Sequence, residues 1–171
     1  ARPRLRVGSK GPRHRGACYH KPTPLLFAGT TGSTMIGILI VAHDTLGESL
    51  VRAVTHVLGT RPPQLEVLSV AATDDPVDLL PAARELIARL DTGKGVLVFS
   101  DLFGATPCNL AAKLVKPGRV EVVAGVNLPM LVRAFTYRNR GMETTIKKAI
   151  SGACDGVLHI EVDPAYAATR G

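Results

Sequence analysis

The clearest pattern in the sequence is an alternation of short apolar runs with segments of helical spacing, which starts near Met35. Residues 35–42 are almost entirely apolar and predict a strand buried on both faces, as in a parallel sheet covered by helices. A polar turn that begins at His43 follows this strand. Apolar residues then recur at helical spacing over residues 46–58, and Gly59 is a typical signal for the end of a helix. The pattern therefore predicts a βα unit at this point.

The same alternation continues through the rest of the sequence. Asp75 followed by Pro76 marks the start of another helix, because aspartate favours the N-cap and proline the first helical position. Helical segments of about 10–15 residues between strands are typical of βαβ units, whose strands run parallel. The sequence therefore predicts an α/β fold: an open, mostly parallel sheet with helices on both faces. The further predicted strands are residues 65–70, 95–100, 120–124 and 157–160, and the further helices are residues 76–90, 107–115, one opened by residues 125–130, and 143–151.

The composition predicts an aliphatic core and argues against a membrane-spanning protein and against a protein stabilised by disulfides. The 171 residues fit one domain of ordinary size, with a hydrophobic share of 46% and only 4% aromatic residues. No apolar run approaches the roughly 18–20 residues of a membrane span. The three cysteines form no CxxC pair and no cluster with histidines at metal-ligand spacing. Such a set argues against a disulfide framework, so we expect a cytoplasmic protein without a bound metal.

The net charge of +7 comes from the first 34 residues. This segment holds seven basic residues and no acidic one, so residues 35–171 carry 14 basic residues against 14 acidic ones. A basic arm can bind nucleic acid, but this one has scattered Pro and Gly and few aromatic side chains to stack on bases. We interpret residues 1–34 as a disordered basic extension from an upstream start or added sequence, and expect no nucleic-acid partner. Residues 35–163 are then the folded domain and residues 164–171 a short tail.

Two polar residues at strand ends carry the candidate chemistry. His43 follows the first predicted strand and Asp101 follows the third. If these strands are neighbours, both side chains reach one crevice at the carboxyl edge of the sheet, where ligands of open α/β sheets bind. A carboxylate that accepts from one imidazole nitrogen fixes the tautomer and leaves the other nitrogen free to attack an electrophile. Alone, either residue is an ordinary end of a strand; together they predict a catalytic pair.

The segment after Asp101 predicts a place for an anion. Gly104 lets the backbone approach a ligand closely, Thr106 can cap the next helix and donate its hydroxyl, and Pro107 suits the first helical turn. Backbone N–H groups at the start of a helix favour phosphate. No Gly-Lys-Ser/Thr follows, so a nucleoside triphosphate site is not supported. An ordinary capped turn is the alternative interpretation of this segment.

Two sequence segments, together with His43, make a family resemblance specific. They are Asp-Leu-Phe-Gly-Ala-Thr-Pro-Cys-Asn at residues 101–109 and Gly-Val-Asn-Leu-Pro-Met at residues 125–130. In this order and spacing, the chain resembles the IIA component of the mannose family of the bacterial phosphoenolpyruvate-dependent sugar phosphotransferase system. The resemblance covers residues 35 to about 160. It implies a mannose-family IIA fold and a phosphotransferase activity that needs no cofactor and no metal.

The resemblance also implies roles for individual residues. His43 corresponds to the histidine that accepts a phosphoryl group from phosphorylated HPr and passes it to a IIB component. Asp101 corresponds to the aspartate that hydrogen-bonds that histidine. Gly104, Ala105 and Thr106 correspond to the phosphate-binding loop, although Ala105 stands where the family often has glycine.

The remaining implications concern partners. Phe103, Asn127 and Met130 are expected on the rim where partner proteins dock. The family forms homodimers, so we expect residues 157–160 to be a short, antiparallel strand shared across the subunit boundary. The IIB component is expected to be a separate protein, with membrane contact only indirect, through a permease complex.

Three other functions stay open at the level of sequence. A regulatory IIA-like protein would use the same His43 but would control the binding of another protein rather than sugar uptake. A flavodoxin-like domain would bind a nucleotide or flavin, although the glycine fingerprint after the first strand is missing. A nucleic-acid-binding role would depend only on residues 1–34.

Overall fold

The structure, a computed structural model, describes residues 6–7 and 34–161. The predictions of a disordered extension and a short tail therefore fall almost wholly outside the described residues. No helix in the described ranges is long and apolar enough to cross a membrane. The strands are β1 Arg6–Val7, β2 Gly37–His43, β3 Leu65–Val70, β4 Val96–Ser100, β5 Val120–Ala124 and β6 Ile160–Glu161, and the helices are α1 Leu46–Leu58, α2 Pro76–Leu90, α3 Thr106–Ala112, α4 Leu128–Tyr137 and α5 Met142–Asp155.

Four of the strands form a parallel sheet in the order β3-β2-β4-β5. Strand β2 lies in the interior and is buried on both faces, which explains its nearly unbroken run of Ile, Leu and Val. The chain leaves β2 towards β3 on one side and returns to β4 on the other, so the strand order reverses between β2 and β4. In open α/β sheets this switch point forms a crevice at the carboxyl ends of the strands.

Helices cover both faces of this sheet, as the sequence predicts. One face packs against α1, α4 and α5 through a core that includes Ile38, Ile40 and Phe99. The other face packs against α2 and α3 through a core that includes Leu39, Val98 and Leu110. Successive residues of β2 thus alternate between the two cores. The predicted α/β architecture is confirmed.

The end of α3 differs from the prediction. The regular helix stops at Ala112, because Lys113 and Leu114 donate to carbonyl groups three residues back instead of four. Such bonds tighten the final turn of a helix. The start also shifts by one residue: Thr106 is the first helical residue, and the N-cap position is Ala105, which has no side chain that could cap. Helix α5 extends one residue earlier and four residues later than residues 143–151.

The last strand is shorter than residues 157–160. Only Ile160 and Glu161 are in strand conformation, and they pair antiparallel with Arg6 and Val7 of the same chain. The antiparallel direction agrees with the prediction. The sharing of this strand between two subunits stays a prediction.

Candidate active site

The structure brings His43 and Asp101 into direct contact at the switch point. The β2–β4 register pairs Val41 with Ser100, so the two strand ends lie side by side. The His43 Nδ1 and Asp101 Oδ2 atoms are 2.7 Å apart, a short hydrogen bond. With Nδ1 donating to the carboxylate, the lone pair of the ring lies on Nε2, the nitrogen turned away from Asp101.

Three N–H groups hold the Asp101 carboxylate in place. The backbone N–H of His43 donates to Oδ2 at 2.9 Å, and the backbone N–H of Leu102 donates to Oδ1 at 2.8 Å. The third donor is the His43 ring. Partial burial by itself raises the pKa of Asp101, but the hydrogen bonds from His43 and Leu102 outweigh it, so the pKa lies below its ordinary value. Asp101 is therefore a fixed negative charge at neutral pH.

The two side chains differ in accessibility. The His43 side chain is 43% exposed, whereas the Asp101 side chain is 9% exposed. A reactant in solution can thus reach the imidazole ring, while the carboxylate behind it is shielded. This is the arrangement needed for an oriented nucleophile or base, because the orienting group must not itself be solvated.

The backbone turns sharply directly after His43. Asp44 adopts a φ of 44°, a left-handed conformation that Asp tolerates better than most residues. Its N–H donates to the Val70 carbonyl at the end of β3. Two residues into α1, Gly47 is buried, and a Cβ there would lie 2.5 Å from a methyl group of Val67. Close packing at Gly47 therefore fixes where α1 begins, and with it the turn that carries His43.

A hydrogen bond between Glu48 and Ser69 is a feature of this region that sequence reasoning missed. Ser69 Oγ donates to Glu48 Oε1 at 2.7 Å and joins the first turn of α1 to β3. The other carboxylate oxygen of Glu48 is buried and has no partner among the described residues. Nothing in the sequence pairs these positions, because they are 21 residues apart and meet only through the packing of α1 on the sheet.

The predicted phosphate-binding residues follow Asp101 in one loop at the same edge of the sheet. Gly104 is exposed and has a φ of 83°, which a residue with a side chain rarely adopts. Ala105 and Thr106 are half-buried at the start of α3. The Ala105 N–H donates to the Leu102 carbonyl at 3.2 Å, so this donor already has an acceptor. Asn109 Nδ2 donates to the Gly104 carbonyl and holds the loop against α3.

The three residues predicted on the docking rim differ in exposure. Phe103 is 84% exposed, and its neighbour Leu102, which sequence reasoning did not single out, is also exposed. Asn127 accepts a hydrogen bond from the Met130 N–H through Oδ1 and so caps α4. Met130 itself must be corrected: it is 3% exposed and packs in the core beside Leu131. The apolar spacing of α4 carries the signal for this burial, and the family motif obscures it.

The described residues hold no group of three or more His, Cys, Asp or Glu side chains that could bind a metal ion. Cys108, in the first turn of α3, is buried. The polar chemistry at this edge of the sheet therefore centres on His43, Asp101 and the loop that follows.

The lowered pKa of Asp101 predicts how stability depends on pH. Because the folded pKa lies below the unfolded one, the carboxylate stabilises the fold above its ordinary pKa of 3.8, and this contribution is lost as the pH falls through the folded value. Asp101→Asn removes the titrating group, so the difference in free energy of unfolding between wild type and variant should shrink as the pH falls below about 4. Urea unfolding across pH measures this difference. A difference that stays constant into strong acid contradicts the prediction.

Several proteins of known class are similar to this chain. It is 29% identical over 132 residues to the PTS system mannose-specific EIIAB component of Escherichia coli (strain K12), which covers 75% of this chain but 41% of that protein. The chain thus spans about two fifths of this relative's length. It is also 29% identical over 111 residues to the PTS system sorbose-specific EIIA component of Lacticaseibacillus casei, covering 60% of this chain and 73% of that protein.

Solved structures show the same fold. The phosphotransferase system component EIIA from Streptococcus agalactiae superposes with a TM-score of 0.65 at 25% identity, covering 73% of this chain and 97% of that one. The mannose/sorbose-specific IIA subunit from Enterococcus faecalis gives a TM-score of 0.66 at 21% identity, covering 75% and 96%. The family model described as the PTS system fructose IIA component matches residues 37–151, more than half of the chain. The chain therefore belongs to the mannose-family IIA components of the sugar phosphotransferase system.

Proposed function

We propose that the chain is a cytoplasmic phosphohistidine carrier. His43 Nε2 accepts a phosphoryl group from phosphorylated HPr and passes it to a separate IIB protein in carbohydrate uptake. The observation that carries this proposal is the 2.7 Å hydrogen bond between His43 Nδ1 and Asp101 Oδ2, in a member of the IIA family. The exposed ring and the shielded carboxylate fit a group that must meet two partners in turn.

The transfer step needs only positioning and charge compensation from the protein. The Nε2 lone pair attacks phosphorus, a new N–P bond forms, and the N–P bond to the donor imidazole breaks with its electron pair returning to the donor nitrogen. The proton on His43 Nδ1 stays in place, so the ring gains positive charge as the bond forms. Asp101, already ionised and fixed by three N–H groups, stabilises that charge without reorganising.

The loop after Asp101 is proposed to hold the phosphoryl oxygens. The first backbone N–H groups of a helix have no acceptor within it, and the dipole of the helix favours negative charge. Gly104 and Thr106 lie on either side of Ala105, whose N–H is already bonded to Leu102. We therefore assign the main contacts to the Gly104 and Thr106 N–H groups and to the Thr106 hydroxyl, with Ala105 joining if its turn opens.

The protein that receives the phosphoryl group from His43 distinguishes a role in carbohydrate uptake from a regulatory role. The relatives named above are a mannose-specific and a sorbose-specific component, and both point to transport. A regulatory IIA-like protein would accept phosphate on His43 in the same way and would differ only afterwards. Onward transfer to an added IIB protein supports transport, whereas a stable phosphoprotein that binds another protein supports regulation.

Replacing the histidine tests the carrier proposal directly. His43→Ala should abolish phosphorylation by phosphoenolpyruvate, enzyme I and HPr, because it removes the nucleophile. His56→Ala is the matched control, since His56 is an exposed histidine on α1 away from the strand ends. Labelled phosphoenolpyruvate measures the incorporation, and the phosphate should be labile in acid and stable in alkali, as expected for phosphohistidine.

Two results contradict the carrier proposal. One is the absence of label on the wild type while HPr is demonstrably charged. The other is equal labelling of wild type and His43→Ala, which moves the acceptor to another residue.

The exposed Phe103 ring is proposed as a docking contact for the phosphate donor. It lies two residues after Asp101 and is 84% exposed, so its truncation costs little folding stability. Exposed aromatic side chains beside a reactive group are typical of residues that dominate binding interfaces.

Phe103→Ala should therefore lower kcat/KM for transfer from phosphorylated HPr by about tenfold, the loss of roughly 1.4 kcal/mol of contact energy. The free energy of unfolding should stay within about 0.5 kcal/mol of wild type. Val115→Ala is the control, because Val115 is an exposed apolar residue beyond the end of α3. Stopped-flow or quenched-flow transfer assays measure the rate. Equal loss in both variants rules out a specific contact at Phe103.

We also propose that the chain is a homodimer that uses residues 157–160. Val157, Leu158 and Ile160 are 77%, 57% and 65% exposed, three apolar side chains within four residues. A cluster of exposed apolar groups beside a short strand is typical of an association surface.

The double substitution Val157→Ser, Leu158→Ser should weaken dimerisation by at least about tenfold, because it removes apolar area buried between subunits. Val77→Ser is the control, an exposed valine in the first turn of α2. Sedimentation equilibrium gives the dissociation constant. A monomeric wild type at tens of micromolar, or an unchanged constant in the double variant, contradicts the proposal.

A further inference from the structure

A cavity lies at the opposite edge of the sheet from His43. Its volume is about 280 Å³. Ile36, Lys94 and Arg119 are among its lining residues, and they lie just before β2, β4 and β5 respectively. The seven residues of β2 separate this edge from His43, a distance of roughly 20 Å at the usual rise per residue. The cavity is therefore separate from the candidate active site.

The described wall of this cavity carries positive charge and no negative charge. Its cationic residues are Lys94, Arg119 and Arg138, and none of its lining residues is Asp or Glu. Arg119 is already compensated, because its Nε lies 2.7 Å from Asp91 Oδ2. Lys94 and Arg138 have no acidic partner among the described residues. One cavity is thus lined by two cationic residues that no described acidic side chain compensates.

Arg138 is the unusual member of this pair. It is 2% exposed, yet among the described residues its guanidinium has one hydrogen bond, from Nη1 to the Pro63 carbonyl. The group also stacks on the Phe135 ring, with 5.1 Å between Cζ and the ring centroid. Nη2 is buried and has no acceptor among the described residues. Burial lowers the pKa of Arg138 to about 10, so the side chain is still charged at neutral pH.

A buried charge that lacks both a counter-ion and a full set of acceptors is strongly unfavourable. An anion in the cavity supplies the counter-ion. Residues 1–33 contain no acidic residue, and residues 162–171 contain one, Asp163. Three glycines with positive φ, a conformation that residues with a side chain rarely adopt, line the cavity; they are Gly93, Gly118 and Gly141.

We propose that this cavity binds a phosphate group, either inorganic phosphate or the phosphate of a small metabolite, between Arg138 and Lys94. The dianionic charge of phosphate matches the two uncompensated cations, whereas a single carboxylate matches one. Guanidinium and ammonium groups are the side chains that bind phosphate most often. The volume leaves room for a small substituent beside the phosphate.

Titration of the ¹⁵N-labelled full chain with inorganic phosphate, at constant ionic strength, tests the site by NMR. The amides of Gly93, Gly118 and Gly141 should shift and saturate, and they should do so equally in His43→Ala, since the site is independent of the histidine. Glycerol 1-phosphate is the second probe. Binding at least about tenfold tighter than inorganic phosphate identifies a phosphorylated metabolite as the ligand, and equal binding identifies free phosphate.

Three variants show which side chains contribute to phosphate binding. Lys94→Gln changes an exposed side chain and should weaken phosphate binding by about tenfold, the loss of one charge-assisted contact. Arg138→Met keeps an apolar stem against Phe135 and should abolish binding. Lys147→Gln is the control, because it removes the same charge from an exposed position of α5 outside the cavity.

Two outcomes overturn the proposal. The first is the absence of saturable shifts at the three glycines at tens of millimolar phosphate. The second is an unchanged dissociation constant in Lys94→Gln, which keeps its fold because the residue is exposed. Shifts confined to Gly104 and Thr106 also contradict the proposal, since they show phosphate binding only at the loop beside His43.

Discussion

The parallel pairing of β2 with β4 is the interaction on which the rest of the molecule depends. It unites the two halves of the sheet at the switch point, and its register sets His43 beside Asp101. The two residues are 58 positions apart in sequence, so only this pairing can bring them within a hydrogen bond. A slip of the register by one residue would reverse which face each side chain occupies and would separate the pair. Burial of both faces of β2 in two apolar cores makes such a slip costly.

The contact at the strand ends combines structural and chemical roles. Asp101 accepts from the His43 backbone as well as from its ring, so one carboxylate both ties β4 to β2 and fixes the imidazole. Its negative charge is held by N–H groups that exist whether or not the ring is charged. In the proposed transfer the protein therefore does not need to reorganise as the ring gains charge, and this preorganisation is the main electrostatic contribution a fold can make to such a step. The turn at Asp44 and the close packing of Gly47 on Val67 are the local conditions that keep the ring in place.

Features that depend on residues close in sequence can be predicted from the sequence. Features that depend on contacts between segments far apart in sequence cannot. The α1 range, the cap at Asp75 and the left-handed Gly59 all follow from local signals, and each agrees with the structure. The Glu48–Ser69 hydrogen bond and the burial of Met130 do not follow from local signals, because each depends on how a helix packs against the sheet. The short β6 belongs to the same group, since its partner is Arg6–Val7 at the other end of the described chain. The His43–Asp101 contact is intermediate: the strand-end positions predict it only once the two strands are taken as neighbours.

The two edges of the sheet carry side chains of opposite charge that are largely shielded from solvent, Asp101 at the carboxyl edge and Arg138 at the amino edge. At the carboxyl edge a carboxylate is fixed behind a ring that becomes cationic in the proposed transfer, and at the amino edge a buried cation has no acidic partner among the described residues. Strands β2 and β4 run between the two sites and pair along five residue positions, so they connect the two edges directly. A ligand at Arg138 alters phosphorylation only if it binds the phosphorylated and unphosphorylated forms with different affinity, and phosphorylation then alters that ligand's affinity by the same factor. A rigid, fully paired pair of strands favours equal affinities, because it offers no second arrangement to select. On this argument a ligand at the amino edge stabilises the fold without regulating the transfer.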